Sequence, residues 1–479
     1  MDMNLEELKN ELPKTPDFIH EMIQNEVEKQ LRDNSVIPIS PKRKWNATRV
    51  AAAAVVCVLA TSTVAYASTK LYHMYLEKQG KYSVTAKIES TGEGEEIQLP
   101  ENIHDIEITA NYIPEGMVLQ EEGKWSYADT PHEGGFSVNS VLMDEDDLSA
   151  VLVENGVVES EERSFGEYDG VYLQYQDLKE DKSFNQRIYM LCPESYRVII
   201  IYIGDDMTKE EAIKFAENIS ITKKDTMIET DGLYTWSEFV NPEEEPVGDM
   251  NQEAEDSSLP IHQIGDEFTL KAFGEDADGN WMQADKISVC VDSVQIADDL
   301  RLLEGKDIPE EWKGAIDGNG KLLDNHLSYV KSGDGVDSVD QVVDTKDVKQ
   351  KLVYTTVTYQ NDTDTELHHM LYIGSIMLLK HDNGMYRVDY PYEQAGENYD
   401  YIMGDGVAHT AEMVYYSIKE DYGNGGNYIT SLKPGESIQI EMAWIVNEND
   451  LKDMYLNLNG NVYELTEEDM ESGVVYIGK

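Results

Sequence analysis

Few residues in this 479-residue chain have the types and spacings that do chemistry. No Gly-rich phosphate loop, nucleophile elbow, HExxH pair or paired CxxC occurs, so the signatures of phosphoryl transfer, acyl transfer and zinc hydrolysis are missing. Of ten histidines, His368 and His369 are adjacent. On a strand their side chains point to opposite faces, which keeps them from sharing a metal. The run Asp144-Glu145-Asp146-Asp147 is acidic enough to attract calcium but lacks the glycine and terminal glutamate of an EF-hand loop. It stands ahead of an expected helix, where acids favour the positive dipole end. Asp276-Ala277-Asp278-Gly279-Asn280 reads as a short acidic turn, a weak calcium candidate. Tyr-rich strands could line a binding face, and cross-strand packing explains them equally well. The expectation is no catalytic residue, no metal and no cofactor. The residues singled out for binding are apolar instead: Ile19, Ile23, Val27 and Leu31 recur every four positions, a stripe that should meet a partner.

That stripe needs a helix, and the flanking residues supply one over 16–32. Thr15 caps it, Pro16 suits the first helical position, and Asp17 complements the dipole. Alone in water such a helix is marginal. Its partner is a cytosolic protein, a second copy of the chain or, least favoured because of its acidic flanks, a membrane surface. After this arm (1–49) comes an uncharged run, residues 50–69, behind the basic cluster Lys42, Arg43, Lys44 and Arg49. Twenty helical residues span about 30 Å, the thickness of a bilayer core. The run is therefore expected to be a single transmembrane helix in membrane lipid, its N-terminus held in the cytoplasm by the positive flank. Ala65-Tyr66-Ala67 has the form of a signal-peptide cleavage site, but the leader and the apolar run are both too long for one.

Beyond residue 69 lie 85 acids and 30 bases, a net charge of −55 out of −56 for the whole chain. So acidic a surface repels nucleic acid, and no direct nucleic-acid contact is expected. Three cysteines make no disulfide framework. Residues 70–222 read as an extracytoplasmic α+β domain built on an antiparallel sheet. Hairpins are expected at Asp169-Gly170 and at Cys192–Ser195, Leu148, Val151 and Leu152 suggest a helix, and Thr208 with Glu211 opens another. Residues 223–259, acidic and punctuated by Pro242 and Pro246, read as a linker. Residues 260–479 carry strand patterns at Phe268–Phe273, Ile287–Ile296, Leu352–Tyr359, Leu371–Leu379, Ile438–Val446 and Met454–Leu458, with Asn459-Gly460 among the turns. Only Pro309–Lys313 reads as helix there. The expected fold class is a membrane-anchored multidomain protein: an α+β antiparallel-sheet domain, then an all-β immunoglobulin-like sandwich.

The arm "LKNELPKTPDFIHEMIQNEVEKQLRD" and the anchor "VAAAAVVCVLATSTVAYAS" resemble a group of Gram-positive membrane proteins termed anti-sigma-factor-like. "YIPEGMVLQ" and "YIGDDMTKEEAIKFAENIS" resemble an uncharacterised outer domain of such proteins. "VTYQNDTDTEL" and "LKPGESIQIEMAWIV" are similar to immunoglobulin-like surface domains. The resemblance implies a non-enzymatic single-pass regulator, its arm binding a cytosolic sigma factor and its outer domains sensing an unknown extracytoplasmic ligand. The second reading is a cell-surface binding or structural protein with no role in transcription.

Overall fold

The run Arg197–Ile203 (RVIIIYI) is apolar on both faces, as a strand covered from both sides must be. In the computed structural model, which describes residues 72–479 except 91–98, 132, 144–147, 180–182, 243–249, 412 and 424, it is the central strand of a seven-stranded antiparallel sheet. After β1 (Asn102–Ala110), the sheet is built from β2 (Phe136–Leu142), β3 (Val157–Phe165), β4 (Tyr168–Tyr175), β5 (Gln186–Cys192) and β6 (Arg197–Ile203), with Met117–Glu121 and Lys124–Tyr127 at one edge. Helix α1 (Lys209–Glu217) covers one face. Its capping box is the expected one, Thr208 with Glu211, and it buries Ala212, Phe215 and Ala216. Phe215 stacks on Phe136 with ring centres 3.8 Å apart. β7 (Ile219–Glu229) then pairs with β1. The opposite face is covered by the hairpin Tyr72–Lys78 and Val84–Ser90 and by α2 (Trp236–Val240), whose Trp236 meets Tyr189 edge to face at 6.2 Å.

Two local expectations in this region are corrected. The β3–β4 hairpin turns at Gly166-Glu167, where Gly166 takes φ +62°, rather than at Asp169-Gly170. Gly170 lies inside β4, where an added Cβ would come within 2.0 Å of Tyr189 O, so glycine is needed there for strand packing rather than for turning. Leu152 belongs to the short strand Leu152–Glu154 paired with Val84–Ala86, not to a helix. Within 223–259, where a linker is expected, lie the end of β7, α2 and the strand Glu253–Glu255, which pairs with Met385–Val388.

The C-terminal region is almost all strand. β8 (Glu267–Glu275), β9 (Trp281–Ala297), β10 (Gln341–Asn361), β11 (Leu367–Leu371), β13 (Tyr428–Leu432) and β14 (Ser437–Asn447) belong to a nine-stranded sheet, and β12 (Ser375–Asp382) and β15 (Met454–Asn457) belong to a six-stranded one. Helix α3 (Glu467–Ser472) leads to the last strand, β16 (Val474–Tyr476). Both sheets contribute to one core, with Ile287, Val357 and Trp444 from the first and Ile376, Leu456 and Val475 from the second. The expected separate immunoglobulin-like sandwich is corrected: residues 69–479 form a single compact, mostly β unit. Backbone bonds tie its two regions together, Tyr82 N–H to Val336 O (2.7 Å) and Gly156 N–H to Gly335 O (2.8 Å).

The membrane expectation is corrected as well. No helix among the described residues is long and apolar enough to cross a membrane. The longest, α1, has nine residues, about half the length a span needs. The run 50–69 and the arm with Ile19, Ile23, Val27 and Leu31 lie outside the described residues. The single-pass anti-sigma-like reading, with its cytoplasmic N-terminus and extracytoplasmic domains, is therefore set aside.

Candidate functional site

β8 and β11 meet at one residue pair only, Glu275 with His368. The approach is close: a Cβ on Gly274 would lie 3.1 Å from His368 O and 3.3 Å from Met370 Cα, so only glycine lets the backbones touch without displacement. His369 follows with φ +46°, a left-handed conformation that histidine adopts more readily than most side chains. Its ring stacks on Tyr422 at 3.9 Å. Past Leu371 the pairing stops. Tyr372 turns its N–H to Asn427 O (3.1 Å) and its hydroxyl to Ile418 O, and the chain re-enters a sheet only at Ser375. A single strand was expected over Leu371–Leu379; the break at 372–374 is where β8 and β11 part.

The parting leaves a cleft of about 510 Å³. Leu270–Phe273 form one wall, Leu371–Ile373 the other, and the turn Leu458–Tyr463 the roof. Tyr359 also lines it, from β10, where its backbone is paired on both sides with Val289 and Ile438. Its side chain is thus the part that reaches the cleft. That side chain is buried, at 2% exposure, and its hydroxyl has no hydrogen-bond partner among the described residues. Burial alone holds the phenol far above its ordinary pKa, so it stays a neutral O–H, able to donate and to accept.

The roof is fixed by its own sequence. Gly460 has φ +92°, and a Cβ there would lie 2.4 Å from Ile373 Cγ2. Asn459 N–H donates to Asn457 Oδ1 (2.8 Å), Asn457 Nδ2 donates to Asn461 O (2.9 Å), and Tyr463 N–H donates to Asn461 Oδ1 (2.8 Å). Asn459 Nδ2 donates to Asp469 Oδ1 (2.7 Å), and Asp469 closes a capping box with Thr466 at the start of α3. Lys271, the one cation lining the cleft among the described residues, is paired with Glu471.

These groups can hold a ligand; they do not form a nucleophile–base pair. Among the described residues no group of three or more His, Cys, Asp or Glu could hold a metal ion. Asp276 of the acidic turn spends its carboxylate internally, taking the N–H groups of Asp278 and Asn280 at 2.9 and 3.0 Å, and these bonds hold its pKa below the usual range. His368 and His369 serve the strand junction. Cys192 and Cys290 are free, and burial pushes the Cys192 thiol up to about 12, where it is a poor nucleophile. Asp144–Asp147 lie outside the described residues. Sequence reasoning singled out none of the cleft residues. Its usable signals were the Asn459-Gly460 turn and Gly374-Ser375, which interrupts the apolar run from Leu371 to Leu379.

A family model described as "Domain of unknown function (DUF4367)" matches residues 107–219. That span runs from within β1 to the start of β7 and does not include the cleft. Comparison with curated proteins and with solved structures gives no match.

Proposed function

We propose that this chain is a non-catalytic binding protein, with no part in transcription, whose ligand occupies the cleft between β8 and β11. The carrying observation is Tyr359, a cleft-lining residue whose buried hydroxyl has no hydrogen-bond partner among the described residues. Buried polar groups are nearly always paired, and one left open beside a cavity is supported by whatever enters that cavity. The volume falls within the range of small-molecule sites, and the lining fits one: apolar walls, a few polar groups and a wall preorganised by its own hydrogen bonds.

Titration with Nile red, an uncharged apolar dye, tests the reading. The wild-type chain should show a saturable rise in emission. Ala411→Trp, which puts a large ring into the half-buried lining loop, should abolish it while leaving the melting transition in place. Unchanged dye binding in a folded Ala411→Trp variant would count against the cleft.

A further inference from the structure

We propose that the natural ligand of this cleft is a neutral oligosaccharide whose sugar rings seat on Phe273 and Trp281; this rests on the cleft reading above. Phe273 and Trp281 are 52% and 55% exposed, an unusual display for large rings on a strand pair. Phe273 stands opposite Gln283 and Trp281 opposite Glu275, so the two rings are diagonal neighbours on the outer face of the β8–β9 hairpin. Tyr463, 50% exposed, stands at the roof. The strip is thus continuous with the cleft through Phe273 and Gln283, which line it.

The platform is held rigid. Trp281 packs edge to face against Tyr422 at 6.3 Å, Tyr422 stacks on His369, and the Tyr422 hydroxyl donates to Glu275. A ring fixed in advance loses little freedom when a ligand lands on it. Charge narrows the ligand further. Lys271 is already paired with Glu471, Glu468 also lines the cleft, and the chain carries a net −56, so an anionic ligand meets repulsion and, among the described lining residues, no unpaired cation. A purely apolar ligand would leave the Tyr359 hydroxyl unpaired, a poor use of that site. A pyranose answers both demands. Its C–H face suits an aromatic ring, and its hydroxyls both donate and accept. They can therefore satisfy Tyr359 and the Gln283 amide.

Calorimetric titration of the full chain with cellohexaose and chitohexaose tests this, with hexagalacturonate and hexalysine as charged controls. At least one neutral oligosaccharide should bind saturably, and hexagalacturonate should not. Trp281→Ala should weaken that binding by about tenfold or more, and Trp281→Tyr should restore most of it. Nile red binding in the cleft should be unchanged by either substitution. No binding of either neutral oligosaccharide, with Nile red binding intact, overturns the sugar assignment and leaves the cleft reading standing. Loss of both sinks the cleft. Binding of hexalysine alone, unaffected by Trp281→Ala, would reduce the strip to simple charge attraction and also overturn the proposal.

Discussion

The two large sheets treat their strands in opposite ways. In the N-terminal sheet β5 and β6 pair residue for residue from Gln186 with Ile203 to Cys192 with Arg197, and β4 and β2 flank them over nearly the same length. Two of its buried hydroxyls are answered from within, Tyr172 OH donating to Gln186 Oε1 (2.7 Å) and Tyr189 OH to Glu154 Oε1 (2.7 Å), while Tyr175 OH, near the end of β4, has no hydrogen-bond partner among the described residues. In the C-terminal sheet β8 and β11 share one pair and separate, and the Tyr359 hydroxyl has no partner among the described residues. The difference teaches where function can reside. A sheet paired to its ends is a frame; a sheet that parts exposes side chains from its own core to a ligand.

The comparison should break most visibly at Phe215. It is fully buried, stacked on Phe136 and edge-on to Trp125 at 5.3 Å. Phe215→Ala should cost about 3–5 kcal/mol through lost burial and the cavity left behind. Denaturant unfolding measures that loss. Nile red affinity, read at a temperature where the variant is still folded, should not change. A matching fall in affinity would show that the frame and the cleft are not separable.

Gly460→Ala should be felt next. Its positive φ alone costs about 1–3 kcal/mol for a residue with a side chain, and the new Cβ would press on Ile373. Gly384 is the control: its φ is +79° but nothing lies within 4 Å of its Cβ position. Gly384→Ala should show the strain in a melting curve and leave dye binding intact, whereas Gly460→Ala should lose both. Equal behaviour of the two variants would mean that the roof does not shape the cleft.

Much of the frame was legible in the chain, because local rules decide it. Thr208 and Glu211 announce a helix start, and Cys192–Ser195 sits between two apolar runs that pair as expected. The turn before β4 was misplaced because Asp169-Gly170 is a strong hairpin signal. Asp169 is in fact buried, accepting from Met74 N–H at 2.9 Å, a demand no local pattern reveals. The cleft was illegible for the same kind of reason. Leu371–Leu379 is apolar enough on either side of Gly374-Ser375 to read as one strand, and only the tertiary course of β8, with Gly274 against His368, shows where pairing ends. Tyr359 reads as one core tyrosine among 29 until its missing partner is seen.

A smaller effect, on pH dependence, should mark the C-terminal region. Asp450 is pushed up to about 6 by burial first and then by Asp389 and Asp453, while Lys380 and Lys452 pull the other way. Lys380 is itself committed to Asp389 (3.1 Å) and Asp453. A carboxyl raised in the folded state binds its proton more tightly there. Its favourable contribution is therefore full below the ordinary carboxylate value and is lost as pH rises through about 6. Asp450→Asn should leave the melting temperature at pH 3.5 unchanged and raise stability at pH 7.5 by about 1–2 kcal/mol. Equal melting of variant and wild type at both values would remove the raised carboxyl from the account.

The finest test sets two tyrosines against each other. Tyr172→Phe in the closed sheet removes a donor and leaves Gln186 Oε1 buried without it, which should cost about 1–3 kcal/mol. Tyr359→Phe removes a hydroxyl that bonds nothing among the described residues, so it should be neutral or stabilise by about 0.5–1 kcal/mol, since a buried polar group is relieved. Its effect belongs to the ligand instead: affinity for a sugar that pairs with the hydroxyl should fall, while Nile red, which needs only the apolar walls, should bind as before. Chemical denaturation of both variants supplies the sign. If Tyr359→Phe destabilises as much as Tyr172→Phe, the Tyr359 hydroxyl is already satisfied in solution, and the C-terminal sheet is as closed as the N-terminal one.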